Sequence, residues 1–140
     1  MSTTPHILVV DDSEVDFDLI CWGLRQNGID SPVTRAGTAE AALAALGVRS
    51  GSPKCTKNDL PYLIIVDINM PGMGGFGLLE QLKQHQASSE IPVVIMSASS
   101  NPADMAISYQ RGAACFVRKP TTLGGYAGKM GEVMKLLFAQ

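Results

Sequence analysis

The chain has 140 residues, 46% of them hydrophobic and 17% charged. That length and balance predict one globular domain with a core large enough to fold alone. A formal net charge of −2 gives no electrostatic reason to expect a nucleic-acid or membrane-surface partner. The apolar runs are too short to cross a membrane. The opening Met1-Ser2-Thr3-Thr4-Pro5-His6 lacks the basic and apolar regions of a signal peptide, so the expectation is a cytoplasmic protein. Three cysteines, Cys21, Cys55 and Cys115, have no metal-ligand spacing and do not suggest a disulfide framework. Cys21 and Cys115 sit in apolar patterns as small hydrophobes, and Cys55 sits in a polar loop.

In chain order, His6-Ile7-Leu8-Val9-Val10 reads as a strand that runs into Asp11-Asp12. Ser13 is a good N-cap for the helix that follows, with Asp16 three positions on. Phe17, Ile20, Cys21 and Leu24 give that helix one apolar face, and Asn27-Gly28 ends it. A weak strand over 32–36 comes next. Thr38 then caps an Ala-rich helix through Leu46. Residues 47–59 form a polar loop, longer than most connections in compact domains.

Leu63-Ile64-Ile65-Val66 reads as a buried strand that ends in Asp67, and the turn-like run Ile68-Asn69-Met70-Pro71-Gly72-Met73-Gly74-Gly75 follows. A helix over about 75–85 uses Phe76, Leu78, Leu79 and Leu82 as its apolar positions. Val93-Val94-Ile95-Met96 is a strand ending in Ser97. Asn101-Pro102-Ala103-Asp104 supplies a cap, an N1 proline and an N3 acid, and Gly112 ends the helix they start. Residues 114–118 form a fifth strand that runs into Lys119-Pro120. The last helix is expected over about 122–138. Gly124, Gly125, Gly128 and Gly131 predict a frayed or irregular start to it, at about 1 kcal/mol each relative to Ala.

Strands alternating with helices argue for βαβ units and a parallel sheet. Right-handed crossovers with helices on both faces favour a flavodoxin-like, doubly wound five-stranded α/β sheet in strand order 2-1-3-4-5. In that order the first and third strands are neighbours where the winding reverses, so Asp11 and Asp12 should meet Asp67 across the crevice. Two unit charges at about 4 Å repel by roughly 4 kcal/mol at an effective dielectric of 20, so three carboxylates call for a countercharge. Mg2+ suits the need, because it takes oxygen ligands and often uses one or two carboxylates plus a phosphate. Asp12 and Asp67 are the expected direct ligands, Asp11 a direct or water-mediated one, and the Asn69 backbone carbonyl another. Asp67 is the candidate nucleophile for phosphorus, Lys119 the cation for the transferring oxygens, and Ser97 a hydroxyl donor to them. Pro120 fixes the turn that aims Lys119, with a cis Lys119-Pro120 bond as one option.

Each feature has a plainer reading when taken alone. Asp11-Asp12 also suits a helix cap, Lys119-Pro120 a surface turn, and Ser97 a structural hydroxyl. Convergence on four strand ends favours the site. An aspartyl-phosphate phosphatase would need a second acid where Asn69 stands. A nucleotide- or flavin-binding domain would need a Ser/Thr/Gly-rich loop where Asp11-Asp12-Ser13-Glu14 stands.

The four motifs are Val10-Asp11-Asp12, Val66-Asp67-Ile68-Asn69-Met70-Pro71-Gly72-Met73, Met96-Ser97-Ala98 and Phe116-Val117-Arg118-Lys119-Pro120. Together they closely resemble the receiver domain of two-component response regulators, over about 7–137. The resemblance implies phosphorylation of Asp67 by a sensor histidine kinase, with Asp11 and Asp12 as the acid pair and Lys119 as the phosphate-contacting base. It implies Ser97 as the switch hydroxyl and Phe116 as the switch aromatic. Their movement would reshape the face formed by the fourth helix, fifth strand and fifth helix, where an unidentified downstream protein binds. It implies no enzyme beyond promotion of the chain's own phosphorylation and dephosphorylation. With no output domain in the sequence, the chain resembles a stand-alone receiver. The long 47–59 loop and the 92–100 run resemble the subgroup that often partners phytochrome-type sensor kinases.

Three departures stand out: Ser97 replaces the more usual threonine, Phe116 lacks a phenolic hydroxyl, and Gly74 replaces an Asp that would cap the third helix. Asn69 and Ser99 flank the site and should admit water, which implies a short phosphoryl lifetime. Met105, Ile107, Tyr109, Tyr126 and Met130 suit either a homodimer face or the core. The alternative function is a protein-binding module on the same fold that works without phosphorylation.

Overall fold

The computed structural model describes residues 5–47 and 60–138. Five strands and five helices alternate: β1 Ile7–Val10, α1 Glu14–Gln26, β2 Val33–Ala36, α2 Ala39–Leu46, β3 Leu63–Asp67, α3 Gly74–Gln84, β4 Val93–Ser97, α4 Pro102–Gln110, β5 Cys115–Arg118 and α5 Leu123–Phe138. All pairings are parallel and the strand order is β2-β1-β3-β4-β5, as expected. The expectations for Cys55 and for nearly all of the 47–59 loop lie outside the described residues. Among the described residues no helix is long and apolar enough to cross a membrane.

The two-residue period of the strands divides the core between the two faces of the sheet. Leu8, Val10, Ile64, Val66, Val93 and Ile95 meet α2 and α3 through Leu43, Leu46, Leu78, Leu79 and Leu82. Ile7, Val9, Leu63, Ile65, Val94 and Met96 meet α1 and α5 through Ile20, Leu24, Tyr126, Met130 and Val133. Tyr126 and Met130 are therefore core residues, whereas Met105 and Tyr109 on α4 are 46% and 49% exposed. Ser108 is the one buried residue of α4, which makes that helix the most lightly seated of the five.

Helix ends follow their local chemistry. Ser13 Oγ accepts from Asp16 N at 3.2 Å, Thr38 Oγ1 from Ala41 N at 3.0 Å, and Asn101 Oδ1 from Ala103 N at 3.0 Å. α3 has no side-chain cap, in keeping with Gly74 in place of an acid. The expected irregular start of α5 is corrected: the helix runs unbroken from Leu123. Gly131 permits close packing against α1 that offsets its low propensity, whereas Gly124 and Gly128 have no atom within 4 Å of where a Cβ would stand. A Cβ on Gly23 of α1 would lie 2.7 Å from the Tyr126 carbonyl oxygen, and one on Gly131 2.6 Å from Asn27 Oδ1.

Candidate functional site

The pairing register places the acids. Val10 pairs with Val66, so the next residues, Asp11 and Asp67, leave the sheet side by side. One carboxylate oxygen from each of Asp11, Asp12 and Asp67 lies within 4.8 Å of the others. Asp11 is 1% and Asp67 6% exposed, while Asp12 faces solvent. A buried pair open on one side to an exposed third acid is an all-oxygen donor set, and it fits a hard divalent cation that keeps some of its waters.

Lys119 enters from the far side of the sheet. Its Nζ lies 3.1 Å from Asp11 Oδ2, 3.2 Å from Asp67 Oδ2 and 2.7 Å from Asp16 Oδ2. Burial alone would lower the Lys119 pKa. The Asp16 hydrogen bond and the charges of Asp11 and Asp67 outweigh that effect and hold it above the usual lysine value. Burial pushes the Asp11 carboxyl up, against the Ser13 N–H and the Lys119 ammonium that lower it. The Lys119-Pro120 bond is trans, since no cis peptide occurs among the described residues. Lys119 is aimed instead by the sheet, its backbone N–H donating to the Ser97 carbonyl at 2.7 Å.

The loop after β3 is fixed by the phosphoacceptor candidate itself. Asn69 N donates to Asp67 Oδ1 at 3.1 Å, an Asx turn of the kind such residues favour. Ser97 is fully buried, and its Oγ accepts from Ser99 N at 3.0 Å. Phe116 is half-buried at the edge of the α2/α3-side core, and its backbone N–H donates to Tyr109 Oη at 3.1 Å.

The sequence reading missed Asp16, which it treated only as the acid of a helix cap. That role is half realised. Asp16 N is capped by Ser13, but the Ser13 N–H donates to Asp11 Oδ1 at 2.9 Å, which leaves the Asp16 carboxylate to Lys119. The partners are 103 residues apart, and no local pattern signals the contact.

The family described as the response regulator receiver domain matches residues 7–125. The chain belongs to that family. Among curated relatives, the two-component response regulator ARR7 of Arabidopsis thaliana is 38% identical over 124 residues, which cover 86% of this chain and 59% of ARR7. The receiver thus spans under two thirds of that relative's length. Two solved structures are similar throughout. The phosphorylated cyanobacterial phytochrome response regulator RcpA has a TM-score of 0.81 at 25% identity and covers 95% of this chain and 93% of its own. The Mn2+-bound response regulator Rcp1 has a TM-score of 0.80 at 27% identity and covers 97% of both chains. In this receiver, Asp11, Asp12, Asp67 and Lys119 converge at the C-terminal mouth of the sheet, and Ser97 ends the neighbouring strand β4.

Proposed function

We infer that this receiver accepts a phosphoryl group on Asp67 from the phosphohistidine of a sensor kinase. The observation that carries the reading is the convergence of Asp11, Asp12 and Asp67 within 4.8 Å beside the Lys119 ammonium. The Asp67 carboxylate attacks phosphorus, the new P–O bond forms, the P–N bond breaks, and its electron pair leaves on the histidine nitrogen, which is protonated. Mg2+, held by Asp11, Asp12, Asp67 and the Asn69 carbonyl, would supply positive charge for the transferring oxygens. Lys119 holds a further oxygen by a charge-assisted hydrogen bond. The Ser97 hydroxyl exchanges its present role as acceptor from Ser99 N for donation to the phosphoryl group.

Ser97 and Phe116 then bias the α4-β5-α5 face between two pre-existing arrangements. The light seating of α4 supports this, because elements that move are drawn from the least stable parts of a fold. Similarity to RcpA supports a phytochrome-type kinase as donor. Intact-mass spectrometry after incubation with acetyl phosphate tests the reading. One added phosphoryl group, dependent on Mg2+ and absent in Asp67→Asn, is the expected result. No gain by the folded wild type would favour the phosphorylation-independent binding module instead.

A further inference from the structure

Lys119 has three N–H donors and three carboxylate partners, of which Asp16 is the nearest at 2.7 Å. The three partners are not equivalent. Asp11 and Asp67 belong to the group whose oxygens converge within 4.8 Å, and Asp16 stands outside it. Asp16 is also anchored at its backbone, since its N–H is capped by Ser13 Oγ in the first turn of α1. We propose that Asp16 is the positioning residue for Lys119, the carboxylate that holds the ammonium at the phosphorylation site while its other two partners are engaged elsewhere. This rests on the phosphoacceptor reading of Asp67.

Each partner of Lys119 has a different fate during the reaction. A cation drawn to the acid pocket competes with Lys119 for Asp11. Phosphorylation turns the Asp67 carboxylate into an acyl phosphate and moves the negative charge outward onto the phosphoryl oxygens. Asp16 keeps its charge through both events. It anchors one Lys119 donor, so the donor released by Asp67 stays within reach of the phosphoryl oxygens. Lys119 is 11% exposed at its side chain, so without Asp16 its surroundings still confine the ammonium, but the nearest of its three carboxylates is gone.

The test is the phosphorylation rate of the full chain with acetyl phosphate across a Mg2+ titration. Asp16→Ala should slow the maximal rate about ten-fold, within what misplacement of a reacting group costs, with the half-saturating Mg2+ concentration changed less than about two-fold. Asp16→Asn keeps an acceptor oxygen and should fall between Asp16→Ala and wild type. Glu14→Gln is the control. It also removes a first-turn acid of α1, but Glu14 pairs with Arg35 rather than Lys119, so its rate should match wild type. A role in helix stability alone would slow both variants or shift the Mg2+ midpoint along with the rate. An Asp16→Ala rate equal to wild type, or a Glu14→Gln rate as low as that of Asp16→Ala, overturns the inference and leaves the role of Asp67 standing. A folded wild type that takes up no phosphoryl group overturns both.

Discussion

A Cβ on Gly75 would lie 2.5 Å from the carbonyl oxygen of Asp67 and 2.7 Å from the Ile68 Cα. The first turn of α3 is thus pressed against the backbone that carries the candidate phosphoacceptor. Gly75 N also donates to the Ile68 carbonyl at 3.1 Å, which closes the loop back onto the strand. Both close atoms are backbone, and no rotamer change relieves the clash. Gly75→Ala should therefore destabilise the protein by about 1–3 kcal/mol, the range for an overpacked interior, and displace Asp67 from Lys119. Urea unfolding followed by circular dichroism reads the first effect, and the rate of acetyl phosphate labelling the second. A variant with wild-type stability and rate would show that the close approach does not position Asp67.

Two glycines of α5 should respond to alanine with opposite signs. Gly128 faces solvent and has no atom within 4 Å of where a Cβ would stand, so Gly128→Ala gains helix propensity, about 1 kcal/mol. Gly131 lies one turn on, against Asn27, whose amide already donates to the Gly23 and Ala127 carbonyls at 2.8 Å each. A methyl group 2.6 Å from Asn27 Oδ1 forces that side chain to move and breaks an interhelical link. Gly131→Ala should lose about 1 kcal/mol net, set by the value of the hydrogen bonds disturbed. Parallel urea melts decide it: equal shifts for the two variants would mean that α1 and α5 are not held at the distance seen here.

Tyr109 ties α4 to β5 by accepting the Phe116 backbone N–H. Its ring is half exposed, so the hydroxyl adds little to global stability. Its effect is local, because β5 is an edge strand and Phe116 is the aromatic proposed to switch. Tyr109→Phe should change the unfolding free energy by under about 1 kcal/mol while speeding amide hydrogen exchange at Phe116 several-fold. Unchanged exchange at Phe116 alongside intact folding would remove Tyr109 as the clasp.

These residues also show where sequence reading reaches and where it stops. β3 and β4 are buried along their whole length, and strands covered on both faces announce themselves as continuous apolar runs. Capping by Ser13, Thr38 and Asn101 was legible because a cap is a contact across two or three residues. Asp11, Asp12, Asp67, Ser97 and Lys119 were legible as a set because each ends or follows a strand, and parallel strands deliver their ends to one edge. The contacts of Asp16 with Lys119 and of Tyr109 with Phe116 were not, since each joins a helix side chain to a strand through a choice of rotamer. The glycines of α5 misled for a related reason. Propensity is a property of the helix alone, while the value of Gly131 lies in the distance to α1. Tyr126 and Met130 could not be told from surface residues until α5 had a partner.

The two described cysteines give the fold a pH dependence with a definite sign. Burial pushes both thiols up. For Cys21 the Arg25 charge only partly opposes it, and for Cys115 the hydrogen bond with Tyr109 does the same. An acid whose pKa is raised by folding stabilises the native state fully below its unfolded pKa, and loses that contribution as pH rises through the folded value. The loss should therefore begin near 9.0, the ordinary thiol value, and continue above it. Tyr126, also pushed up by burial, adds the same sign beyond 10.0. Lys83, lowered by burial, acts in the opposite direction, so the thiol contribution must be isolated by difference. Wild type should lose stability faster than Cys21→Ala/Cys115→Ala between about pH 9 and 10, with the two curves parallel at pH 7. The thiolate is the reactive form, so peptide-resolved iodoacetamide labelling at pH 7.5 should run slower at both cysteines than for free glutathione, and reach the free rate in urea. Labelling as fast as glutathione in the folded protein would mean that neither thiol is shielded by the packing of α1 and β5.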